Sequence, residues 1–416
     1  MRKTCVFVSN YLNHHQIPFC NAMYRLLKGQ FLFIQTLAME EERIRMGWND
    51  QPDVPYLKLY YEQPEECQEI IEQAKLVLFG GCEEERYIEK RLEQEKPVVR
   101  ICERMYKTGQ WKAVSPRGLR KKYHDHTRYR RKPVYLLCAG AYVASDYSIV
   151  RAYPGKMYRW GYFTEFVPAD IEELLTEKGY LPEGQSGGEK LPYLLWAARM
   201  IDWKHPELAL LTARYLKEQG LSFHMDLIGG GELRDRMEEL RKAYDLEDCV
   251  GFLGFLTPPK VREVMKRADI FLFTSDRQEG WGAVANEAMN SGCALVADHM
   301  IGAVPYLVKH EENGLVYRTG RTEELFAEVE RLVTDRELCR KLGRKAYETI
   351  ASAWNAENAA EKLLRLTMKL GLLAKEDMLE LSAEDPRQEA DGPCSPAPVI
   401  AERKMYRLLT GKGRCR

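Results

Sequence analysis

Carboxylates, glycines and the start of a helix lie close together between residues 270 and 292. Apolar residues run up to Thr274 and predict the end of a strand, and a loop with Glu279, Gly280 and Gly282 leads into a predicted helix. Parallel sheets bind ligands at the carboxyl ends of their strands, where the free N–H groups of a helix N-terminus suit a phosphate. Glu279 could accept hydrogen bonds from polyol hydroxyls, and Glu287 could reach a ribose. Either glutamate taken alone is more typical of a solvated surface.

Two cations follow another predicted strand, at 192–197. Arg199 and Lys204 could neutralise a pyrophosphate, and fixed positive charge there would stabilise a departing diphosphate. The alternative is a surface pair that flanks a loop. The glycines at 229–231 end a third strand; they permit close approach of a ligand and equally suit a tight turn. Neither G-x-G-x-x-G nor G-x-x-x-x-G-K-[ST] occurs in the sequence.

Short apolar segments alternate with amphipathic ones along both halves of the chain, which predicts parallel sheets covered by helices. The predicted strands lie at 4–9, 31–36, 76–79, 97–102, 192–197, 223–228, 250–252, 270–274 and 294–297. Two α/β domains in series are the simplest arrangement that fits this order.

The domain boundaries follow from breaks in the pattern. We expect an N-terminal domain over 1–163 and a C-terminal domain over 164–350. A helix at 351–370 can return to the first domain. Residues 371–416 are predicted to be a mobile tail, because its proline-rich and polar part buries too little apolar surface to offset the entropy of ordering. The basic end of the tail is a solvated segment or a weak contact to an anionic surface.

Composition excludes several classes of protein. The 62 basic residues balance the 62 acidic residues, so no net charge favours a nucleic-acid partner. No apolar run approaches the roughly 18 residues of a transmembrane helix, and the N-terminus lacks a secretory apolar segment, so we expect a cytoplasmic protein. The 11 cysteines include no C-x-x-C pair, which indicates structural thiols rather than a metal cluster or a disulfide framework.

The strongest local charge bias lies at 117–132, where eight Lys or Arg residues face the single Asp125. Clustered cations near a bilayer attract anionic lipid by about 1 kcal/mol each. If a substrate of this protein is anchored at the inner face of the cell membrane, the segment predicts a peripheral contact there. A solvated face, or a loop that contacts an acceptor phosphate, is the alternative.

The clusters together resemble the donor-binding half of glycosyltransferase family 4, whose members are retaining enzymes with the GT-B fold. The resemblance covers about 192–365. The shared residues are Arg199, Lys204, Ile228-Gly-Gly-Gly231, Gly254, Thr274-Ser275, Glu279, Gly280-Trp-Gly282, Glu287, Ala288-Met289, Gly292, Gly302 and Asn313-Gly314. The resemblance implies an α/β protein with two Rossmann-like parallel-sheet domains that face a cleft.

The resemblance also implies roles. Arg199 and Lys204 would hold the diphosphate, Glu287 the ribose and Glu279 the hydroxyls of the donor sugar, so that Arg199, Lys204 and Glu279 are the candidate catalytic residues. The donor site would further include Gly229 and Gly230 and the backbone amides of Gly280, Trp281 and Gly282. Family members keep the anomeric configuration, and the leaving phosphate helps to take the proton of the acceptor. Neither a metal nor a cofactor is expected.

The first domain matches the family less closely. By their location, Asn13, His14, Glu103 and Arg104 are candidates for contacting donor or acceptor, or else polar loop residues with a local role. The resemblance implies transfer from a nucleotide-diphosphate sugar to a glycan or a polyprenyl-diphosphate-linked acceptor, in bacterial surface-polysaccharide assembly. A nucleotide-sugar epimerase of similar architecture and a non-catalytic sugar-nucleotide-binding partner are the alternatives.

Overall fold

The chain folds into two compact units. The computed structural model describes residues 3–41, 52–82, 84–180, 190–382 and 391–411. The first unit comprises Met1–Glu165 and Ala353–Ile400, and the second comprises Phe166–Ser352 and Ala401–Arg416. The chain thus passes from the first unit to the second after Glu165, whereas the sequence predicted this boundary after residue 163.

The described strands of the first unit form one parallel sheet. Its strands are β1 (Cys5–Ser9), β2 (Phe31–Gln35), β3 (Leu57–Leu59), β4 (Leu76–Gly80), β5 (Val98–Cys102), β6 (Val134–Ala139) and β7 (Met157–Trp160). The strand order is β3-β2-β1-β4-β5-β6-β7, with Phe7 of β1 beside Phe33 of β2. Every residue of β1 and β2 is buried, as expected of strands covered on both faces. The helices of this part are α1 (Ile17–Leu26), α2 (Pro64–Gln73), α3 (Glu89–Glu93), α4 (Pro116–Asp125) and α5 (Val143–Ile149).

The second unit repeats this architecture. Its strands are β8 (Tyr193–Ala197), β9 (His224–Ile228), β10 (Val250–Gly254), β11 (Ile270–Phe273), β12 (Ala294–Asp298) and β13 (Leu315–Tyr317), in the parallel order β10-β9-β8-β11-β12-β13. Its helices are α6 (Ile171–Glu177), α7 (Pro206–Glu218), α8 (Arg234–Ala243), α9 (Pro258–Arg267), α10 (Val284–Asn290), α11 (Val304–Leu307), α12 (Thr322–Thr334) and α13 (Arg336–Ser352). Two parallel-sheet α/β domains are therefore confirmed.

Each sheet has one position where the chain order reverses. In the first unit it lies between β1 and β4, and in the second between β8 and β11. Loops that leave neighbouring strands diverge at such a switch point and open a crevice at the carboxyl edge, which is where open α/β sheets bind their ligands. These two positions are therefore the places to look for a functional site.

A helix near the C-terminus belongs to the first unit. Helix α14 (Ala356–Lys369) packs against α1. One face of this helix is apolar and buried, because its residues recur at helical spacing: Ala359, Ala360, Leu363 and Leu364. Such a face is stable only when it packs against another apolar surface.

The prediction of a mobile tail over 371–416 is wrong for most of its described residues. The backbone N–H of Arg159 donates to the carbonyl of Ser395 (2.8 Å), and that of Ala397 donates to Met157 (3.0 Å), so the segment pairs with β7, the edge strand. Helix α15 (Glu402–Thr410) belongs to the second unit, where the Tyr406 hydroxyl donates to Glu324 (2.9 Å). Residues 383–390 and 412–416 lie outside the described residues. No helix in the described ranges is long and apolar enough to cross a bilayer.

Candidate functional site

The predicted donor residues lie at the carboxyl edge of three neighbouring strands of the second unit. Arg199 and Lys204 follow β8, Gly229 and Gly230 follow β9, and Glu279 follows β11. Strands β9, β8 and β11 are adjacent in the sheet, and β8 and β11 flank its switch point. Elements that are distant in sequence thus place cations, glycines and a carboxylate at one edge.

Lys204 and Glu279 form an ion pair across this switch point, although 75 residues separate them in the chain. Their side chains are only 12% and 11% exposed. A pair so shielded from water interacts more strongly than a surface pair, and removing one partner would leave an uncompensated buried charge. The ammonium group has three donors, so Lys204 can hold Glu279 and still bind an anionic ligand.

Thr274, at the end of β11, fixes the position of the loop that carries Lys204. Its hydroxyl lies within hydrogen-bond distance of the carbonyls of Lys204 (2.8 Å) and His205 (3.1 Å), and it accepts a hydrogen bond from the Trp196 indole (2.8 Å). The N–H of Asp276 donates to the carbonyl of Trp203 (3.0 Å). The two loops across the switch point are therefore tied to each other through their backbones.

His205 adds a charged tie between the same loops, one that sequence reasoning missed. Its Nδ1 lies 2.8 Å from Glu207 and its Nε2 lies 3.7 Å from Asp276. The neighbouring carboxylates of Asp276 and Glu207 raise the pKa of His205 to about 10, so the imidazole is protonated at neutral pH. The only signal in the sequence was a histidine directly after Lys204 and an aspartate three residues before Glu279.

The side chain of Arg199 is exposed and has no hydrogen-bond or ion-pair partner in the part of the chain that the structure describes. The amide N–H groups of Gly280 and Gly282 likewise meet no acceptor among the described residues. These donors lie on the loops after β8 and β11, the two strands at the switch point. They are available to an anionic or hydroxyl-bearing ligand.

Gly282 is also required by the loop itself. Its φ of +92° lies in the region that favours glycine, and a Cβ there would meet Phe273 Cζ at 2.2 Å. The Trp281 side chain is buried, and its indole N–H donates to Asn286 (2.9 Å). The Trp281 side chain therefore belongs to the core, and only its backbone could contact a donor.

The glycines after β9 have separate roles. A Cβ on Gly229, whose φ is +127°, would lie 1.9 Å from the carbonyl oxygen of Ala198, so this glycine lets the loops after β8 and β9 pack closely. A Cβ on Gly230 would meet nothing within 4 Å. Gly230 therefore borders open space at the strand ends.

Glu287 lies in α10, half-buried. Burial raises the pKa of its carboxyl to about 7, while Arg262 acts in the opposite direction. Glu287 is therefore poised to change its charge near neutral pH.

A cavity of about 590 Å³ opens at the carboxyl edge of the sheet in the first unit. Asn13 and Glu103 line it. His15 lines the cavity and His14 does not, and Arg104, which was also a candidate, does not line it either. The Arg104 side chain is buried, 3.6 Å from Asp146, and lies over the ring of Tyr142. A buried guanidinium needs a carboxylate partner, which explains why Arg104 turns into the core.

Glu103 is held in place at the cavity wall. Its carboxylate accepts a hydrogen bond from the Tyr162 hydroxyl (2.6 Å) and pairs with Lys107 (2.6 Å). Aromatic side chains that sequence reasoning did not assign to a site supply much of the lining. They are Phe7, Tyr11, Phe19, Trp160, Tyr162 and Phe163. Aromatic faces beside fixed polar groups can bind the apolar and hydroxyl faces of a sugar ring.

Among the described residues, no three His, Cys, Asp or Glu side chains are grouped so that they could hold a metal ion. The ten cysteines in the described ranges are free thiols, six of them buried, which fits the predicted structural role.

Part of the chain is similar to known glycosyltransferases. Residues 183–349 match the family model described as glycosyl transferases group 1, a segment that contains every predicted donor residue. Amylovoran biosynthesis glycosyltransferase AmsK of Erwinia amylovora is 32% identical over 144 residues, which are 33% of this chain and 35% of AmsK. Alpha-D-kanosaminyltransferase of Streptomyces kanamyceticus is 27% identical over 219 residues, 52% of this chain and 55% of that protein. The matches thus span about a third to a half of these relatives.

Solved structures show the same fold. Anabaena HepE in complex with UDP aligns with a TM-score of 0.63 and 15% identity over 90% of this chain and 100% of that one. Sucrose-phosphate synthase from Thermosynechococcus elongatus aligns with a TM-score of 0.59 and 17% identity over 89% and 99%. The predicted GT-B fold, with two Rossmann-like domains, is confirmed.

Proposed function

We propose that this protein transfers a glycosyl group from a nucleotide-diphosphate sugar to an acceptor, with retention of configuration at the anomeric carbon. The observation that carries the proposal is the buried Lys204–Glu279 pair at the switch point, with the exposed Arg199 on the same loop as Lys204. A cation that is held by a carboxylate and joined by an exposed cation suits a diphosphate that gains charge as it leaves.

The proposed roles divide the donor among these groups. Arg199 and Lys204 bind the diphosphate, together with the amides of Gly280 and Gly282, and Glu279 accepts hydrogen bonds from sugar hydroxyls. Glu287 accepts from the ribose, and Gly230 leaves room at the ends of the strands. In the transition state positive charge develops at the anomeric carbon, and the departing phosphate takes the proton of the acceptor hydroxyl. No metal and no cofactor takes part in this proposal.

The proposed acceptor is a glycan or a polyprenyl-diphosphate-linked saccharide, bound by the cavity of the first unit. Asn13 and Glu103 would hold hydroxyl groups there, beside the aromatic lining. A role in surface-polysaccharide assembly is supported by AmsK and by the similarity to a putative colanic acid biosynthesis glycosyltransferase, WcaL of Escherichia coli (32% identity over 31% of WcaL). The protein would act in the cytoplasm at the inner membrane face, with residues 117–132 toward anionic lipid.

The experiment that tests this proposal has two stages. UDP-, GDP- and ADP-sugars are screened for thermal stabilisation, because a ligand that binds only the folded state raises the melting temperature with its concentration. The stabilising donor is then incubated with candidate acceptors, and the product is analysed for the anomeric configuration. A retained glycosidic product is expected. A free, epimerised nucleotide sugar would contradict transfer, and the absence of stabilisation by any donor would contradict donor binding.

A further inference from the structure

The first unit carries a cluster of large apolar side chains that face solvent. We define the interfacial surface as Trp111, Val114, Leu119 and Tyr123, together with the cations between them. These four side chains are 71%, 81%, 42% and 61% exposed. Single exposed apolar residues are ordinary, but four within 13 residues form a patch of the kind that marks an interaction site.

The backbone turn at Gln110–Val114 orients two side chains of this patch toward solvent. Trp111 and Val114 lie three residues apart in the 3-10 turn Gln110–Val114, so their side chains share one face. Ala113 of the same turn is buried, and the Gln110 side chain donates to Asp146 (2.9 Å). The turn is therefore anchored on its inner side, while its two largest apolar groups point away from the domain.

Helix α4 continues the surface. It buries none of its residues. Leu119 and Tyr123 are four residues apart and lie on one helical face, and exposed Arg117, Arg120 and Lys121 adjoin them. No acidic residue occurs from 110 to 124. An apolar face beside a basic face is the pattern of a helix that lies in a membrane interface.

We propose that the interfacial surface docks the protein on an anionic membrane by inserting Trp111 and Val114 among the headgroups. Tryptophan favours the bilayer interface, and the Lys112 ammonium lies 5.6 Å from the centre of the Trp111 ring, so insertion brings a cation to the lipid phosphates. Arg117, Arg120 and Lys121 supply complementary charge. The contact is thus apolar as well as electrostatic, beyond what the charge of segment 117–132 alone implies.

The segment with the interfacial surface follows closely, in the sequence, a residue that lines the cavity of the first unit. Glu103 lines the cavity and pairs with Lys107, and the turn with Trp111 begins three residues later. Docking would therefore hold the cavity wall near the bilayer, where a saccharide linked to a polyprenyl diphosphate is anchored. For the identity of that saccharide, the inference rests on the proposed function.

The test is co-sedimentation of the full chain with vesicles of phosphatidylcholine alone, or with a quarter of phosphatidylglycerol. Binding is expected only with phosphatidylglycerol. W111A/V114A should weaken it at least about tenfold through lost apolar insertion, and R120A/K121A by a similar factor through lost attraction. The control L37A/V399A removes two other exposed apolar side chains, and K341A/K369A removes two other exposed cations. Both controls should bind like the wild type.

Three results would overturn the proposal: equal or negligible binding to both vesicles, unchanged binding of W111A/V114A, or loss of binding in either control. Self-association without vesicles, abolished by W111A/V114A, would assign the surface to a second copy instead. Stabilisation by a nucleotide sugar should be the same in W111A/V114A as in the wild type. Vesicle binding without any such stabilisation would support the surface and refute only the proposed transfer reaction.

Discussion

Removing the charge of Lys204 should destabilise the second unit, because Glu279 would be left buried without a counter-ion. Breaking a fully buried pair costs about 3–5 kcal/mol, and the 11–12% exposure of these side chains places the loss at about 2–3 kcal/mol. For a domain of this size, such a loss lowers the melting temperature by about 4–12 °C. Lys204→Met should show this shift in calorimetry of the full chain.

The double variant Lys204→Met/Glu279→Gln should recover most of the loss, since no unpaired charge then remains. The expected coupling energy is about 1–3 kcal/mol. Lys217→Met is a matched control, because its partner Asp248 is 68% exposed, and it should cost less than about 1 kcal/mol. Additive effects of Lys204→Met and Glu279→Gln, or equal losses in Lys204→Met and Lys217→Met, would refute the reasoning.

Three further predictions concern pH and the loop glycine. Because the pKa of His205 in the folded state is raised to about 10, the stabilisation that its charge contributes is complete below pH 6.5 and is lost toward pH 10. Urea titrations should therefore show that the free energy of unfolding falls less over that interval in His205→Gln than in the wild type. Equal losses in the two proteins would contradict the contact between His205 and the two carboxylates. Because burial raises the pKa of Glu287 to about 7, donor affinity measured calorimetrically should rise between pH 6 and 8 as the carboxylate forms, and Glu287→Gln should flatten this rise. Gly282→Ala should cost about 2–4 kcal/mol in urea titration through its positive φ and the overlap with Phe273, and a neutral result would contradict the loop geometry.

Local sequence pattern predicted the placement of Arg199, Lys204 and Glu279 well. Each follows an apolar strand, and in a parallel sheet the carboxyl ends of all strands share one edge. The contact between Lys204 and Glu279 was not predictable in the same way. It depends on β8 and β11 lying side by side, a long-range pairing that no local signal encodes.

Other features of the structure depend on single contacts, which the composition of a segment does not reveal. The segment after 371 is polar and proline-rich overall, yet Ser395 pairs with an edge strand and Tyr406 is buried. Arg104 follows a strand, as the candidate site residues do, but its guanidinium turns inward because Asp146 lies in the core. Trp281 stands between two loop glycines, and only the position of Asn286 shows that its indole faces inward.

The most direct test of the proposed site is turnover of the identified nucleotide sugar by Arg199→Ala and Glu279→Ala. Both variants should keep the wild-type fold by circular dichroism and lose at least about tenfold in kcat/KM, since each removes a group proposed to contact the leaving diphosphate or the sugar. Arg236→Ala, which removes another exposed cation, should match the wild type. Wild-type turnover in either Arg199→Ala or Glu279→Ala would contradict the assignment of the switch point between β8 and β11 as the donor site.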